Sequence, residues 1–270
     1  MTTRAELGIV TVIEDWRALV WRHLLHLRRM PDKLISATVL PMVFVVLFGV
    51  LFGSAISIPN GDYREFIMAG IFTQVMITAV PNTAIGMLED LGNGLVDRFR
   101  SLPMSPSAVL VGRTVGDTAL RAVTCVAMTA VGLLIGWNIG GGVGAALAGF
   151  GILLLFGFTM AWVGALLGMK VRSPEAAASM PSVLLMPLMF LSSAYIPLGG
   201  LPGWLRAIAE WNPISAVAGA LRELWGNPVA AGDSFAARNP VPMALAWLAL
   251  ILLLVVPAAV RNYRTAAAAK

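Results

Sequence analysis

The sequence predicts an all-α integral membrane protein. Three observations predict it: the composition, the length of the apolar runs and the apolar character of these runs on every face. Of the 270 residues, 58% are hydrophobic and 12% are charged, whereas soluble domains average about 45–50% apolar and about 25% charged residues. Runs of roughly 20 apolar residues, such as 34–52 and 243–260, match the length a helix needs to cross a hydrocarbon layer. Outer-membrane strands would alternate polar and apolar residues. These runs are apolar on every face, so the spans are predicted to be helices.

Six apolar runs predict six transmembrane helices in a single transmembrane domain, residues 1–270. The runs are residues 34–52, 65–88, 106–137, 143–169, 174–195 and 243–260. An even number of spans puts both termini on one side, and cytoplasmic loops are enriched in Lys and Arg near helix ends. The side that carries the termini has Arg4, Arg17, Arg22, Arg28, Arg29, Lys33, Arg98, Arg100, Arg113, Lys170, Arg172, Arg261, Arg264 and Lys270, against Arg64, Arg206, Arg222 and Arg238 on the other. Both termini are therefore predicted to be cytoplasmic and the protein to reside in the cell membrane.

The segment before the first span, residues 1–33, has the pattern of an amphipathic helix. Apolar residues from Ile9 to Leu27 fall on one helical face, and the other face carries Glu14 and several arginines. This pattern is typical of a helix that lies in the membrane interface. The alternative is a positively charged flank that only orients the first span, which explains the arginines but not the apolar stripe.

The connection between the second and third spans, residues 89–105, is short and charged. It reads EDLGNGLVDRFRSLPMS, in which Gly92 and Gly94 end the preceding helix and Ser105 with Pro106 starts the next one. Residues 95–102 have the length of two helical turns. We expect a short cytoplasmic helix that offers a contact to a partner, with a solvated turn as the equally weighted alternative.

The outer segment, residues 196–242, contains two capped helix starts, at Pro202 and at Asn212 with Pro213. Trp204, Trp211 and Trp225 suit the headgroup level of the membrane. We therefore predict a re-entrant helical hairpin between the fifth and sixth spans, with a surface loop packed on the bundle as the alternative.

Sequence motifs for catalysis are absent. No G-x-x-x-x-G-K-[ST] phosphate loop, H-E-x-x-H or G-x-S-x-G pattern occurs, so the chain has no device of its own for hydrolysing a nucleotide. His23 and His26 lack a third ligand on their face, and Cys125 is the single cysteine. We expect no catalytic site, no metal site and no bound cofactor in this chain.

Two spans carry polar side chains at helical spacing. In the second, Gln74, Thr78 and Asn82 recur every fourth residue and Glu89 continues that face. In the fifth, one face holds Ser179, Ser182, Met186, Met189 and Ser193. These faces are able to line a substrate path, because methionine adapts to varied apolar shapes. The alternative is helix packing through interhelical hydrogen bonds. Within the third span, Asp117 and Arg121 have the i,i+4 spacing of a self-neutralising pair.

The order of these features resembles the permease subunits of type-2 ABC exporters, and most of all the daunorubicin-resistance type of drug-export permease. Glu89, Asp90, Gly94, Asp97, Arg98, Leu102 and Pro103 are similar to that family's cytoplasmic E-x-x-x-G turn, and Gly112 with Arg113 to its glycine followed by a basic residue. Its fifth span and outer segment are matched by Pro187, Leu191, Ser192, Ser193, Tyr195, Pro197, Leu201, Pro202, Trp204, Asn212, Pro213 and Arg222.

The resemblance implies a function in which this chain moves an amphipathic or apolar substrate, such as a drug, antibiotic or lipid-like molecule, out of the cell. Two separate ABC ATPase subunits would carry ATP and magnesium, and a second permease copy or a homologous permease would complete the path. Lipid surrounds the complex, and no nucleic acid is expected. The ATPase-coupling residues implied are Glu89, Asp90, Gly94, Asp97, Arg98, Phe99, Arg100, Leu102 and Pro103. The implied path residues are Gln74, Thr78, Asn82, Ser182, Met186, Met189 and Ser193.

The main rival is an ion-coupled secondary transporter or channel, since broken helices also suit alternating access. Such proteins usually need a carboxylate inside the membrane, and Asp117 is the candidate. An integral membrane enzyme ranks third because no nucleophile, base and metal arrangement is apparent.

Overall fold

The computed structural model describes residues 31–52, 57–58, 61–92, 106–229, 232 and 234–268. Within these residues the chain is helical, apart from one antiparallel pair of two-residue strands, β1 (Ser57–Ile58) and β2 (Gly61–Asp62). The predicted interfacial helix lies outside the described residues, except for residues 31–33, which begin the first helix. The helices are α1 (Pro31–Val46), α2 (Tyr63–Ile77), α3 (Ala79–Gly92), α4 (Pro106–Leu134), α5 (Gly142–Gly168), α6 (Pro174–Phe190), α7 (Gly203–Glu210), α8 (Pro213–Trp225), α9 (Phe235–Arg238) and α10 (Pro240–Ala268).

Four stretches of helix in the described part of the chain are long and apolar enough to cross a membrane. They are Tyr63–Asp90, Leu110–Leu134, Gly142–Gly168 and Pro240–Tyr263. The prediction of an all-helical, multi-pass membrane protein is confirmed. α1 continues as a π-helix, Leu47–Phe52, and its apolar part, Thr38–Val50, is shorter than a full span. α6 has 17 residues and two internal prolines. The count of six spans stays a prediction.

The second apolar run is one span interrupted at Thr78, which separates α2 from α3. Pro81 explains the interruption, because proline lacks the N–H group that would bond the carbonyl of Ile77, and its ring crowds that carbonyl. Asp62 caps the start of α2 by accepting a hydrogen bond from the N–H of Arg64 at 2.9 Å.

The fifth run ends earlier than predicted. α6 stops at Phe190, whereas the sequence predicted helix to residue 195. Pro187 removes the donor for the carbonyl of Val183, one turn earlier. Where the helix ends, Asn212, the N-cap of α8, donates to the carbonyls of Leu188 and Leu191 at 2.7 and 2.6 Å. Leu191 still makes the last helical bond, to the carbonyl of Pro187, and residues 192–197 cross to the outer segment without helical bonding.

The core is built where α5 packs against α3 and α8. Gly164 and Gly168 of α5 lie against the backbone carbonyls of Val80 and Ala84 in α3, leaving no room for a Cβ atom. Such close approach of helices through small residues is typical of membrane bundles, where packing and not the hydrophobic effect drives association. α3 is thereby fixed along one side.

The outer segment folds as three short helices, α7 to α9. The residues Ile214–Arg222 of α8 are buried without exception, so this helix is an interior element and not a surface loop. Trp204 and Trp211 are exposed as the headgroup prediction requires, but Trp225 is not: its side chain is 0% exposed. It packs in an aromatic cluster with Phe72, Trp137 and Phe150, with ring centroids 5.1–5.3 Å from its own.

Candidate functional site

The coupling region predicted at residues 89–105 is described only at its first residues. Glu89 and Asp90 lie in the last turn of α3, where Glu89 is exposed and Asp90 is half-buried. The other predicted coupling residues, Gly94, Asp97, Arg98, Phe99, Arg100, Leu102 and Pro103, lie outside the described residues. The structure therefore shows how the region attaches to the bundle through the adjoining ends of α3 and α4.

An ion-pair cluster joins α3 to α4 next to this region. Arg113 contacts Asp90 at 2.8 Å and Asp117 at 3.5 Å, and it donates a hydrogen bond to the carbonyl of Gly86 at 3.3 Å. Thr83 of α3 donates a hydrogen bond to the carboxylate of Asp117 at 2.6 Å. The pairs are partly shielded from solvent, where charges interact more strongly than on an open surface. α3 and the first half of α4 are thus held as one unit.

Asp117 and Arg121 form no direct salt bridge in the described residues, although the two charges still attract each other through space. The carboxylate of Asp117 turns toward α3 and is engaged by Thr83 and Arg113. The buried guanidinium of Arg121 lies over the interruption in the second span, where it donates to the hydroxyl of Thr78 at 3.2 Å. That hydroxyl in turn donates to the carbonyl of Val75 at 2.7 Å. Arg121 therefore stabilises the helix break between α2 and α3.

The path residues predicted in the second span differ in exposure. Gln74 is half-buried, whereas Thr78 and Asn82 are exposed. An exposed amide or hydroxyl on a membrane span is costly if it faces hydrocarbon. This face of α2 and α3 is therefore suited to a polar cavity or a partner chain.

The path residues predicted on the fifth span differ in exposure. Ser182 and Met186 are exposed, the latter to 60%, but Met189 is 7% and Ser193 is 4% exposed. The division follows from the early end of α6, which turns the chain after Phe190 into the bundle. Helix α6 packs beside α3, so the open faces of the two helices belong to neighbouring elements.

A polar stripe on α8 holds the residues that follow α6. Asn212, Ser215 and Arg222 lie at spacings of three and seven residues, which place them on one helical face. Asn212 binds the end of α6, and Ser215 accepts a hydrogen bond from the N–H of Ser193 at 2.8 Å. Arg222 donates to the carbonyls of Ser193 and Ala194 at 2.8 and 2.9 Å.

Glu210, at the end of α7, is the buried carboxylate of the outer segment. It pairs with Arg206 at 2.8 Å and accepts a hydrogen bond from the N–H of Ser234 at 3.2 Å. Burial by itself raises the pKa of Glu210, but the hydrogen bonds from Ser234 and Arg206 outweigh it and hold the pKa below its usual value of 4.5. The charged form therefore ties α7 to the start of α9.

Comparison with known proteins identifies the family to which this chain belongs. The family described as ABC-2 type transporter matches residues 14–224, which span the ion-pair cluster, the broken second span and most of α8. The chain belongs to the ABC-2 type transporter family. A relative in Streptomyces coeruleorubidus, named daunorubicin resistance ABC transporter permease protein, is 34% identical over 206 residues, 76% of this chain and 72% of that relative.

Two other permeases match at lower sequence identity. A probable doxorubicin resistance ABC transporter permease protein of Mycobacterium tuberculosis is 24% identical over 235 residues, 86% of this chain and 82% of the relative. A putative transport permease of the alga Porphyra purpurea is 26% identical over 221 residues, 80% and 75% of the two chains. The resemblance to type-2 ABC permeases, and to the daunorubicin-resistance type among them, is confirmed.

In this ABC-2 chain, the sequence analysis missed two residues that the structure makes central, Pro81 and Ser215, and the pairing of a third, Arg113. Pro81 was overlooked although a proline inside an apolar run is a recognised signal of a broken helix. Ser215 was overlooked because one serine in a short helix is unremarkable until it is placed on a face with Asn212 and Arg222. Arg113 was noted for the family pattern, but its pairing with Asp90 joins residues 23 apart in sequence, which no helical spacing reveals.

Proposed function

We propose that this chain is the transmembrane permease subunit of an ATP-driven ABC exporter. It moves an amphipathic or apolar molecule, of the drug, antibiotic or lipid-like class, out of the cell. Two separate ABC ATPase subunits bind ATP and magnesium, and a second permease copy or a homologous permease completes the path. Membership of the ABC-2 family and the names of the relatives in Streptomyces and Mycobacterium support this proposal.

The observation that carries the proposal is the pair of open faces on neighbouring helices. Thr78 and Asn82 on one helix, and Ser182 and Met186 on the other, are exposed in the isolated chain. The hydroxyls of Thr78 and Ser182 already bond backbone carbonyls of their own helices, whereas the exposed amide of Asn82 is costly if it faces hydrocarbon. We therefore expect a second permease or a substrate path to cover this face. A mixture of methionine with small polar groups accommodates molecules of varied apolar shape.

The proposed topology has six spans, cytoplasmic termini and a re-entrant hairpin made by α7 and α8. The count includes α1 and α6, which need flanking residues or a tilt to reach across the bilayer. Interior burial of α8 supports the hairpin, since backbone at membrane depth must be covered by protein. In this topology the ends of α3 and α4 that flank the coupling residues, together with the Arg113 cluster, lie on the cytoplasmic side.

The geometry favours this proposal over an ion-coupled transporter. That mechanism would use Asp117 as a titrating carboxylate inside the membrane. Arg113 and Thr83 already neutralise and bind this carboxylate. An engaged carboxylate suits a fixed joint between helices better than a proton or cation carrier.

The test is co-purification of the tagged chain with its ATPase from membranes, using mass spectrometry to identify a subunit that carries a phosphate loop. Changing Asp97→Ala together with Arg98→Ala is expected to remove the partner, because these charges belong to the docking surface. The matched control is Arg172→Ala together with Glu175→Ala, two opposite charges in the connection before α6 and in its first turn. Retention of the ATPase by the first variant and continued export would contradict the coupling role.

Export itself is measured as ATP-dependent uptake of daunorubicin, followed by its own fluorescence, into inside-out vesicles that contain the complex. Uptake that requires ATP and the co-purified ATPase supports the proposed function. Uptake that persists without the ATPase, driven by an ion gradient, would support the secondary transporter instead.

A further inference from the structure

The segment that follows α6 is held by hydrogen bonds from side chains of several other elements. After α6 ends at Phe190, residues 191–195 continue into the bundle, and a helix end exposes carbonyl groups that lack helical donors. Side chains of other elements bind these groups. Asn212 takes the carbonyls of Leu188 and Leu191, and the hydroxyl of Tyr63 donates to the carbonyl of Tyr195 at 2.9 Å.

Arg222 contributes the largest share of these contacts. Its side chain is 0% exposed. The Nη2 group donates to the carbonyls of Ser193 and Ala194, while the Nε group donates to the carbonyl of Phe66 in α2 at 2.9 Å. The guanidinium carbon lies 3.6 Å from the centroid of the Phe66 ring. One side chain thus joins α8, α2 and the end of α6.

The positive charge of Arg222 is stabilised by backbone carbonyls and an aromatic ring. No carboxylate pairs with it in the part of the chain that the structure describes. Carbonyl dipoles and an aromatic face supply the negative potential, which suits the weakly hydrated, planar guanidinium. A lysine ammonium has no fork of donors and is more strongly hydrated, so it is unable to make the same three backbone contacts.

The packing around these contacts leaves little freedom. Gly70 of α2 lies directly against the carbonyl of Ala194, with no space for a Cβ atom. Breaking the arrangement would strand a buried cation and several buried carbonyls, each of which costs free energy when left unpaired. The unwound segment therefore keeps one position relative to α2 and α8.

We propose that Arg222 is a positioning residue for export, which fixes the outer end of α6 and so sets the shape of the outlet of the substrate path. The proposal rests on the proposed function as an exporter. The exposed residues of α6, Ser182 and Met186, precede the fixed segment by less than three helical turns. Displacement of that segment moves this face relative to α3, without touching the cytoplasmic coupling region.

The test compares Arg222→Lys and Arg222→Gln with the matched control Arg238→Lys, an exposed arginine of the same outer segment. Each is purified with its ATPase. The Arg222 variants are expected to lower daunorubicin uptake at least about tenfold while ATP hydrolysis and co-purification change less than about twofold. Lysine is expected not to rescue, because charge alone does not restore the three contacts. The control is expected to export normally.

A packing readout separates positioning from general damage. In a Cys125→Ala background, Ser192→Cys places a thiol at a site that is 1% exposed. Maleimide is expected to label this thiol slowly with Arg222 present and at least about tenfold faster with Arg222→Lys. If that variant fails to assemble, Ser215→Ala, which removes the acceptor for the N–H of Ser193 alone, is expected to give an intermediate labelling rate.

Unchanged export by Arg222→Lys, or equal labelling rates with and without Arg222, would overturn the positioning role. A parent complex that shows no ATP-dependent uptake at all would contradict the proposed function instead. The labelling contrast still decides the packing role in that case, because it requires no transport.

Discussion

Gly86 faces the guanidinium group of Arg113, and a Cβ atom at this position would occupy the same space. Arg113 also uses the carbonyl of Gly86 as an acceptor. The absence of a side chain is therefore what allows the arginine to lie flat against α3 and reach Asp90 and Asp117. At the scale of single residues, this glycine determines whether the ion-pair cluster forms.

Gly86→Ala is expected to displace the guanidinium of Arg113 and, through the loss of its charge-assisted hydrogen bonds, to lower the free energy of unfolding by about 1–3 kcal/mol. Thermal unfolding of the purified protein measures the change. The control is Gly151→Ala in α5, where a Cβ atom meets nothing within 4 Å and removal of a helical glycine is expected to stabilise by about 0.5–1 kcal/mol. Equal stability of the two variants would contradict the described geometry.

Glu210 gives the outer segment a pH dependence whose sign follows from its lowered pKa. A carboxylate whose folded pKa lies below its unfolded pKa stabilises the protein above the unfolded value, and this contribution disappears as the pH falls through the folded value. The difference in unfolding temperature between the native chain and Glu210→Gln is therefore expected to be constant from pH 7 to about 5 and to shrink below about pH 4.

The matched control for this measurement is Glu223→Gln, which changes an exposed carboxylate of α8. Its unfolding temperature is expected to follow that of the native chain at every pH. A Glu210→Gln difference that grows on acidification would show that the neutral acid, and not the carboxylate, holds α7 to Ser234.

At the scale of elements, the second span is two helices with different attachments. α2 is joined to the outer segment through the contact of Phe66 with Arg222. α3 is joined to α4 through Arg113 and to α5 by close backbone contact at Gly164 and Gly168. The interruption at Thr78 lies between these two regions, so bending at this point moves one relative to the other while leaving both sets of contacts intact.

Pro81→Ala is expected to return the missing donor to the carbonyl of Ile77 and to straighten the span. Stability is expected to stay equal or rise, because an interior proline costs a helix about 3 kcal/mol relative to alanine, whereas daunorubicin uptake is expected to fall. The control is Pro257→Ala, which changes the internal proline of α10. Faster export by the Pro81 variant would show that the interruption is not needed for the transport cycle.

At the scale of the whole molecule, hydrophobic length predicted the membrane class and the helical runs, because bilayer thickness dictates the length of an apolar span. Helix starts at Pro106, Pro174 and Pro213 followed from local capping chemistry. Local chemistry did not predict the ends at Ile77 and Phe190, where prolines act together with side chains from distant elements.

The residues of the candidate site also fall into two groups, those that local spacing predicts and those that depend on tertiary packing. The spacing of Gln74, Thr78 and Asn82 was readable because it is local to one span. The partners of Asp117, the burial of Trp225 and the contacts of Arg222 arise from tertiary packing, which joins residues as far apart as Phe66 and Arg222. Periodicity within a helix contains no information about which neighbour covers each face.

We propose that this chain forms the export path of a complex whose energy comes from separate ATPase subunits. Uptake of a fluorescent amphipathic drug into inside-out vesicles, with and without an intact phosphate loop in the co-purified ATPase, tests this role most directly. We predict ATP-dependent uptake with the intact ATPase and none with the disrupted one. Equal uptake in both, or uptake driven by an imposed ion gradient alone, would contradict the account.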